Sequence, residues 1–168
     1  MGYELGHLDS WGVGNLHFPN TRMMRLRDAM DAMGMLCRVR HRPFPTLPAW
    51  VYDEPYAQEV YDHFDEGWDL PECADPKLVK RIETYLDRKV ALLEEEPFQP
   101  ARGIPSYKLS SNDDWLISAN EVRSALDAYK ASGRRVEDIL SNPHDLELWP
   151  QWIAWLEESV AYGGFRVW

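Results

Sequence analysis

Three side chains near the start of the chain could act together in acid–base or metal chemistry. His7 and His17 flank a segment that contains Gly12 and Gly14, and Asp9 lies between the two histidines. An imidazole beside a carboxylate can serve as a general base, and the same two groups can bind a metal ion. If the segment folds back on itself, these side chains meet. One alternative function is therefore a small enzyme of unknown reaction with a loop site near His7 and His17.

The remaining nucleophiles and glycines lack the spacing that their chemistry needs. The GVGN run at 12–15 is shorter than the phosphate-binding patterns GxGxxG and GxxxxGK[ST], and an ordinary loop explains it. No serine lies in a GxSxG turn. Cys37 and Cys73 form no CxxC pair and are typical of free thiols in a reducing compartment. No residue is therefore predicted to be catalytic.

Two acidic clusters could bind a cation, but each has a simpler explanation. His63 is adjacent to Asp62 and two residues before Asp65, whereas the two histidines of an HExxH pattern lie one helical turn apart on the same face, so a solvated helix face accounts for this cluster. The NDD run at 112–114 lacks the spacing of a calcium-binding loop and is typical of a turn. The sequence predicts no metal site and no cofactor.

The charge of the chain is concentrated in its middle third. The net charge is −10, and residues 51–100 hold fourteen Asp and Glu against five Lys and Arg. Neutralising nucleic-acid phosphates requires clustered cations, so we expect no direct nucleic-acid binding. An acidic surface favours a basic partner because it steers the encounter, although it also serves plain solubility.

Aromatic side chains lie among these carboxylates and could anchor a protein partner. The function predicted first is a small, acidic, non-enzymatic interaction or accessory protein. A second alternative is an inhibitor of a DNA-binding protein, whose carboxylates imitate nucleic-acid phosphates. The predicted partner-binding residues, which we call the acidic aromatic surface, are Tyr52, Glu54, Tyr56, Glu59, Asp62, Asp65, Glu66, Trp68 and Asp69.

Both ends of the chain are predicted to lie in one sheet. Residues 1–8 alternate weakly, and residues 165–168 alternate between apolar and charged side chains, as strands do. Before the last strand, apolar residues recur at helical spacing, and Pro150 suits the first turn of that helix. One apolar stripe along this helix is formed by Trp149, Trp152, Ile153, Leu156 and Val160.

Four more helices and further strands follow from the same patterns. One helix is predicted from a cap at Asn20 or Thr21 to Gly34. A second is predicted from Asp53 to Gly67, with Phe64 facing inward, and a third from Asp75 to residue 96. Ser118 and Glu121 have the spacing of a capping box that opens another helix. Strands are predicted at 35–41 and, as a hairpin, within 107–117. The run RPFPTLPAW is predicted to be an extended covering loop or a linker between two halves of the chain, and its PxxP could also dock in an aromatic groove.

These elements do not alternate as a parallel sheet requires. We expect an α+β fold: a single domain of residues 1–168, with a small, mainly antiparallel sheet that includes both termini and is covered by about five helices. The chain has no run of eighteen apolar residues and no leader-like segment at its start. We therefore expect a soluble cytoplasmic protein with no membrane association.

Three short segments resemble a group of small proteins of actinobacteria and their phages that have no known activity. They are MGYEL at the start, SNDDWLISANE at 111–121 and GGFRVW at 163–168. Proteins of this group share an MGY opening, an SNDGW-like turn before a capped helix and a GGFRV-like end. Here Asp114 replaces the glycine that is frequent in that turn. The resemblance implies a compact domain from a bacterium or phage and implies no catalytic residue.

Overall fold

The computed structural model describes residues 2–8, 14–95 and 102–168, which form five α-helices and two β-sheets. The α+β fold is as predicted. The strands are β1 (Gly2–His7), β2 (Leu16–Pro19), β3 (Leu36–Cys37), β4 (Ile104–Pro105), β5 (Trp115–Ser118) and β6 (Gly164–Val167). The helices are α1 (Asn20–Ala32), α2 (Ala57–Glu66), α3 (Pro76–Leu93), α4 (Ala119–Ser132) and α5 (Pro143–Ala161).

The chain divides into two compact units. Unit 1 comprises residues 1–41 and 94–168, and unit 2 comprises Arg42–Leu93. Each unit has its own cluster of buried hydrophobic side chains. The single-domain organisation of residues 1–168 remains a prediction.

The four-stranded sheet of unit 1 joins both ends of the chain, which confirms the prediction. Its order is β2-β1-β6-β5, and every neighbouring pair is antiparallel. Val167 in β6 pairs with Leu5 on one side and with Trp115 on the other. A separate two-stranded sheet pairs β3 with β4 in parallel.

The terminal helix α5 is the largest contributor of aromatic side chains to the core of unit 1. Trp149, Trp152 and Leu156 are buried, as their spacing predicts. The helix begins earlier than predicted, because Asn142 caps it by accepting a hydrogen bond from the backbone N–H of His144. Pro150 consequently lies inside the helix and not in its first turn.

Helix α1 places its methionines in the same core but is not capped as predicted. Met23, Leu26 and Met30 are buried, which confirms the inward face. The residue before the first turn is Pro19, which makes no side-chain capping bond, so the predicted cap at Asn20 or Thr21 is wrong. Strand β2 runs directly into the helix and leaves no position for a capping turn.

Two predicted β-segments are shorter than their alternation indicates. The predicted strand at 35–41 contracts to β3, which has only the equally short β4 as its partner. In place of the predicted hairpin within 107–117, Ser106–Leu109 forms a 3₁₀ turn and only β5 is a strand. The turn directs Lys108 into the interior, where its ammonium group is satisfied by partners that local sequence does not reveal.

Unit 2 consists of a 3₁₀ turn at Ala49–Asp53, helix α2 and helix α3. Val51, Val60, Leu78 and Ile82 form its buried cluster. Asp75 caps α3 by accepting the backbone N–H of Lys77, and Gly67 ends α2 in the left-handed conformation. No helix among the described residues is long and apolar enough to cross a membrane.

Candidate functional site

The two histidines of the predicted loop site lie on opposite faces of the four-stranded sheet. His17 pairs with Glu4 across β1 and β2, and its Nδ1 lies 3.7 Å from a Glu4 carboxylate oxygen. Side chains alternate along a strand, so His7, three residues after Glu4 in β1, projects from the other face. Asp9 lies outside the described residues. The described part of the chain therefore does not bring His7 and His17 together.

His7 is a core residue of unit 1. Its ring stacks between those of Trp155 and Tyr162, with centroid distances of 4.6 Å and 4.8 Å. Only 6% of the residue is exposed. Trp155 is itself fixed, since its indole N–H donates to the carbonyl oxygen of Gly14. This packing supports the fold and leaves little room for a reactant.

His63, the histidine of the acidic cluster, holds the end of α2. Its Nδ1 donates a hydrogen bond to the carbonyl oxygen of Trp68, and its ring contacts that of Phe64 edge-on. Within residues 2–8, 14–95 and 102–168, no three His, Cys, Asp or Glu side chains are grouped so that they could hold a metal ion. The role of His63 here is to position Trp68.

Two of the thiol and hydroxyl candidates, Cys37 and Ser110, are engaged in structural contacts. Burial raises the pKa of the Cys37 thiol, and the negative charge of Glu121 raises this pKa further. A thiol with a raised pKa is protonated at neutral pH and is a poor nucleophile. Ser110 donates to the carbonyl oxygen of Ser106 and accepts from Arg27.

A buried ion pair in unit 1 has no signal in the sequence. Lys108 is 1% exposed, and its Nζ lies 2.8 Å from Glu121 Oε1 and 2.7 Å from the carbonyl oxygen of Leu116. Glu121 also accepts from the backbone N–H of Ser118, and this contact completes the predicted capping box of α4. Both charges are enclosed, so the pair orders the start of α4 and is not open to a substrate.

Tyr107 lies near this ion pair and is hard to ionise. Burial raises its pKa to about 12, and the charges of Glu121 and Glu95 contribute to the same shift. The ring packs edge-on against Trp115 at a centroid distance of 4.8 Å. A phenol held neutral in this way is a structural group at physiological pH.

The nine residues of the acidic aromatic surface all lie in unit 2, on three successive local structures. The 3₁₀ turn at Ala49–Asp53 carries Tyr52, and Glu54 and Tyr56 follow before α2. Helix α2 then carries the four central carboxylates, and Trp68 and Asp69 follow Gly67. The four central carboxylates are Glu59, Asp62, Asp65 and Glu66.

These side chains are available to a partner. Tyr52 is 72% exposed and Trp68 is 57% exposed, although both have large apolar rings. Of the nine residues only Asp62 is half-buried; the other eight are exposed. Asp62 accepts a hydrogen bond from Gln58 one turn earlier in α2.

Two further aromatic residues belong to this exposed group and were missed or misplaced by sequence reasoning. Trp50 is 45% exposed, although a Trp within a proline-rich segment gave no signal for a surface position. Phe64 is 37% exposed, so the prediction that it faces inward is wrong. Helix α2 has ten residues and fully buries only Val60, so the periodic apolar side extends beyond what the small core of unit 2 can cover.

Tyr56 has an unusual backbone conformation at the start of α2. Its φ is +67° and its ψ is 11°, which is the left-handed region. This conformation costs a residue with a Cβ roughly 1 to 2 kcal/mol relative to glycine. A strained aromatic residue at an exposed position is a feature that often accompanies binding sites.

Opposite charges are segregated along unit 2. Residues 51–76 contain nine Asp and Glu and no Lys or Arg, whereas α3 holds all five Lys and Arg of residues 51–100. The acidic aromatic surface therefore has no intervening cation in its own stretch of chain. The summed charge of residues 51–100 does not reveal this segregation, because it combines the acidic stretch with the cations of α3.

Comparison of the chain with protein-family models, with curated proteins and with solved structures finds no match.

Proposed function

We propose that this chain is a non-enzymatic interaction protein that binds a basic protein partner through the acidic aromatic surface. One observation carries the proposal: among the described residues, seven of the nine exposed large hydrophobic side chains lie in unit 2. Exposed aromatic groups gathered in one region are typical of interface anchors. The five aromatic members are Trp50, Tyr52, Tyr56, Phe64 and Trp68.

The carboxylates that accompany these rings determine the kind of partner. Residues 51–76 contribute nine negative charges and no positive charge, so their local potential is strongly negative. Such a surface attracts a partner rich in Lys and Arg and increases the association rate. The aromatic side chains then provide buried contact area once the surfaces meet.

The setting of the proposal comes from the resemblance of the chain termini and of residues 111–121 to small actinobacterial and phage proteins. In that setting the chain is an accessory protein, encoded by a phage or its host, and its partner is a protein of the host. Activity arises from occupying the partner's basic surface and requires no chemical step.

Affinity capture with three versions of the chain tests the proposal. Wild-type protein is immobilised and incubated with actinobacterial lysate, and retained proteins are quantified by mass spectrometry. The surface variant replaces four carboxylates by their amides: Glu59→Gln, Asp62→Asn, Asp65→Asn and Glu66→Gln. We expect at least one basic protein to be retained by wild type and reduced about tenfold or more with this variant, since its charge complementarity is lost.

A matched control variant distinguishes the effect of this surface on capture from the effect of net charge. Four exposed carboxylates of unit 1 are neutralised in the same way: Glu137, Asp138, Glu147 and Glu158. The control should retain the partner at close to the wild-type level. Equal capture by all three versions, or equal loss in both variants, contradicts the proposal. If duplex DNA releases the captured protein, the carboxylates act by imitating phosphates.

The backbone strain at Tyr56 offers a second variant that keeps the net charge unchanged. Tyr56→Gly removes the aromatic ring and also relieves the left-handed conformation, so the folded state is not expected to lose more than about 1 kcal/mol. Capture of the partner should fall while the unfolding midpoint stays close to that of wild type. A large loss of stability with unchanged capture would assign Tyr56 to folding and not to binding.

A further inference from the structure

Unit 2 also contains a cavity whose charge is opposite to that of the acidic aromatic surface. The cavity has a volume of about 530 Å³ and lies between helix α3 and the proline-rich segment at 45–48. It shares no residue with the acidic aromatic surface. We call it the basic groove, after its four cationic residues Lys77, Lys80, Arg81 and Arg88.

Among the residues that the structure describes, no carboxylate lines the basic groove. Lys80 pairs with Glu83 on the same helix, with Nζ 2.7 Å from the carboxylate oxygen. Lys77, Arg81 and Arg88 make no ion pair with any described residue. Three exposed cations thus converge on one concave surface of a chain whose net charge is −10. Such a local reversal of charge favours an anionic ligand.

The groove is formed by one face of helix α3 and by the proline-rich segment. Helix α3 supplies all four cations, together with the hydroxyl of Thr84 and the ring of Tyr85 between them. Thr84 Oγ1 donates to the carbonyl oxygen of Lys80, which leaves its lone pairs available as acceptors. The opposite wall is held in place because Leu47 packs on the buried cluster of unit 2.

The spacing of the cations fits a compact, multiply charged group better than a long polymer. Lys77, Lys80 and Arg81 lie within about 6 Å along the helix axis, and Arg88 lies roughly 10 Å beyond Arg81. Lys77 lies in the first turn of α3, where the helix dipole also attracts negative charge, and Lys80 and Arg81 lie in the second turn. A cavity of this volume lies within the range of roughly 300 to 1,000 Å³ that holds small molecules.

We infer that the basic groove is a binding site for a small phosphorylated compound with two or more linked phosphates. The linked phosphates contact Lys77, Lys80 and Arg81, since guanidinium groups bind phosphate oxygens in pairs and lysines neutralise them. The remainder of the ligand lies against Tyr85 and the proline wall and reaches Arg88. This site would be a second binding site, separate from the proposed protein interaction, because the two surfaces have different residues and opposite charges.

Isothermal titration calorimetry with inorganic tripolyphosphate and with adenosine triphosphate tests the inference, with orthophosphate as the single-phosphate comparison. The groove variant is Arg81→Gln with Arg88→Gln. The control variant is Arg123→Gln with Arg134→Gln, which removes the same charges from exposed positions of unit 1. We expect saturable one-to-one binding by wild type, tighter for tripolyphosphate than for orthophosphate. The groove variant should bind about tenfold more weakly, and the control as wild type.

Three results would overturn the inference. The first is that tripolyphosphate shows no saturable binding to wild type at low ionic strength. The second is that binding weakens equally in the groove variant and the control variant. The third is that hexaglutamate binds more tightly than tripolyphosphate. The last result would assign the groove to acidic peptides. Circular dichroism checks that both variants fold. Lys77→Gln, at the first turn of α3, gives an independent single change that should weaken binding by a smaller factor.

Discussion

At the scale of single residues, the interior charges of unit 1 stabilise the fold and do not form a reactive centre. Lys108 and Glu121 form a buried ion pair, and Glu121 also completes the capping box of α4. The cap could be predicted, because Ser118 and Glu121 lie three residues apart in sequence. The burial of Lys108 and its pairing with Glu121 could not be predicted, because the turn at Ser106–Leu109 and the position of α4 bring the two side chains together.

Removing the buried cation should strongly destabilise the chain. Lys108→Met leaves the Glu121 carboxylate enclosed without its counter-charge, which is expected to cost about 3 kcal/mol or more of the free energy of unfolding. Urea unfolding monitored by fluorescence measures this change. Lys130→Met is the matched control, because Lys130 forms only an exposed pair with Glu157 at 3.8 Å. The control should change stability by less than about 1 kcal/mol; equal effects in both variants would contradict a structural role for the buried pair.

The raised pKa of Tyr107 predicts a loss of stability at alkaline pH. The ordinary tyrosine pKa is 10.0, and burial raises that of Tyr107 to about 12 in the folded state. Between these values the folded state holds a proton that the unfolded state has lost, so the free energy of unfolding falls as pH rises. Stability from this group is fully present below pH 10. Urea unfolding at a series of pH values should show a smaller alkaline decrease for Tyr107→Phe than for wild type, and identical slopes would contradict the assignment.

At the scale of elements, long periodic segments were predictable and short ones were not. Helices α1, α4 and α5 follow from apolar spacing that persists over several turns. The strand at 35–41 and the hairpin within 107–117 were inferred from brief alternation, which short loops and 3₁₀ turns also show. The inward face assigned to Phe64 was wrong for a related reason: periodicity gives the side of a helix but not how much core lies beneath it.

The junction of α5 and β6 depends on a glycine that the sequence pattern did not single out. Gly164 has a φ of +126°, and a Cβ at this position would lie 2.1 Å from the carbonyl oxygen of Ile117 in β5. Neither the backbone conformation nor the contact tolerates a side chain. The close approach allows β6 to pair with β5.

Gly164→Ala should therefore cost about 3 kcal/mol or more of the free energy of unfolding. Gly133→Ala is the matched control, because Gly133 also has a positive φ, of +62°, but a Cβ there meets no atom within 4 Å. Its cost should be about 1 kcal/mol. Thermal and urea unfolding of the two variants measure the difference. Similar stabilities would show that the approach of β6 to β5 is not tight.

At the scale of the whole molecule, the sequence predicted the pairing of the chain ends but not the division into two units. The ends could be assigned to one sheet because both have short alternating segments. The proline-rich run at 42–50 left open a linker between two halves, but the bounds of unit 2 were not predicted, because its helices have the same amphipathic pattern as those of unit 1. The exposure of its aromatic residues depends on the small size of its own core, which only the folded chain reveals.

The segregation of charge gives unit 2 two distinct surfaces. The acidic aromatic surface is proposed to bind a basic protein, and the basic groove is proposed to bind linked phosphates. Neutralising the four central carboxylates should leave tripolyphosphate binding intact, whereas the Arg81 and Arg88 variant should leave protein capture intact. The two proposals can therefore fail separately.

Amide hydrogen exchange of the wild-type chain, with and without the captured basic partner, tests the central proposal most directly. We expect the partner to slow exchange within residues 50–69, where the exposed aromatic and acidic side chains lie, and to leave exchange in α4 and α5 unchanged. Protection confined to unit 1, with residues 50–69 exchanging as in the free chain, would contradict it.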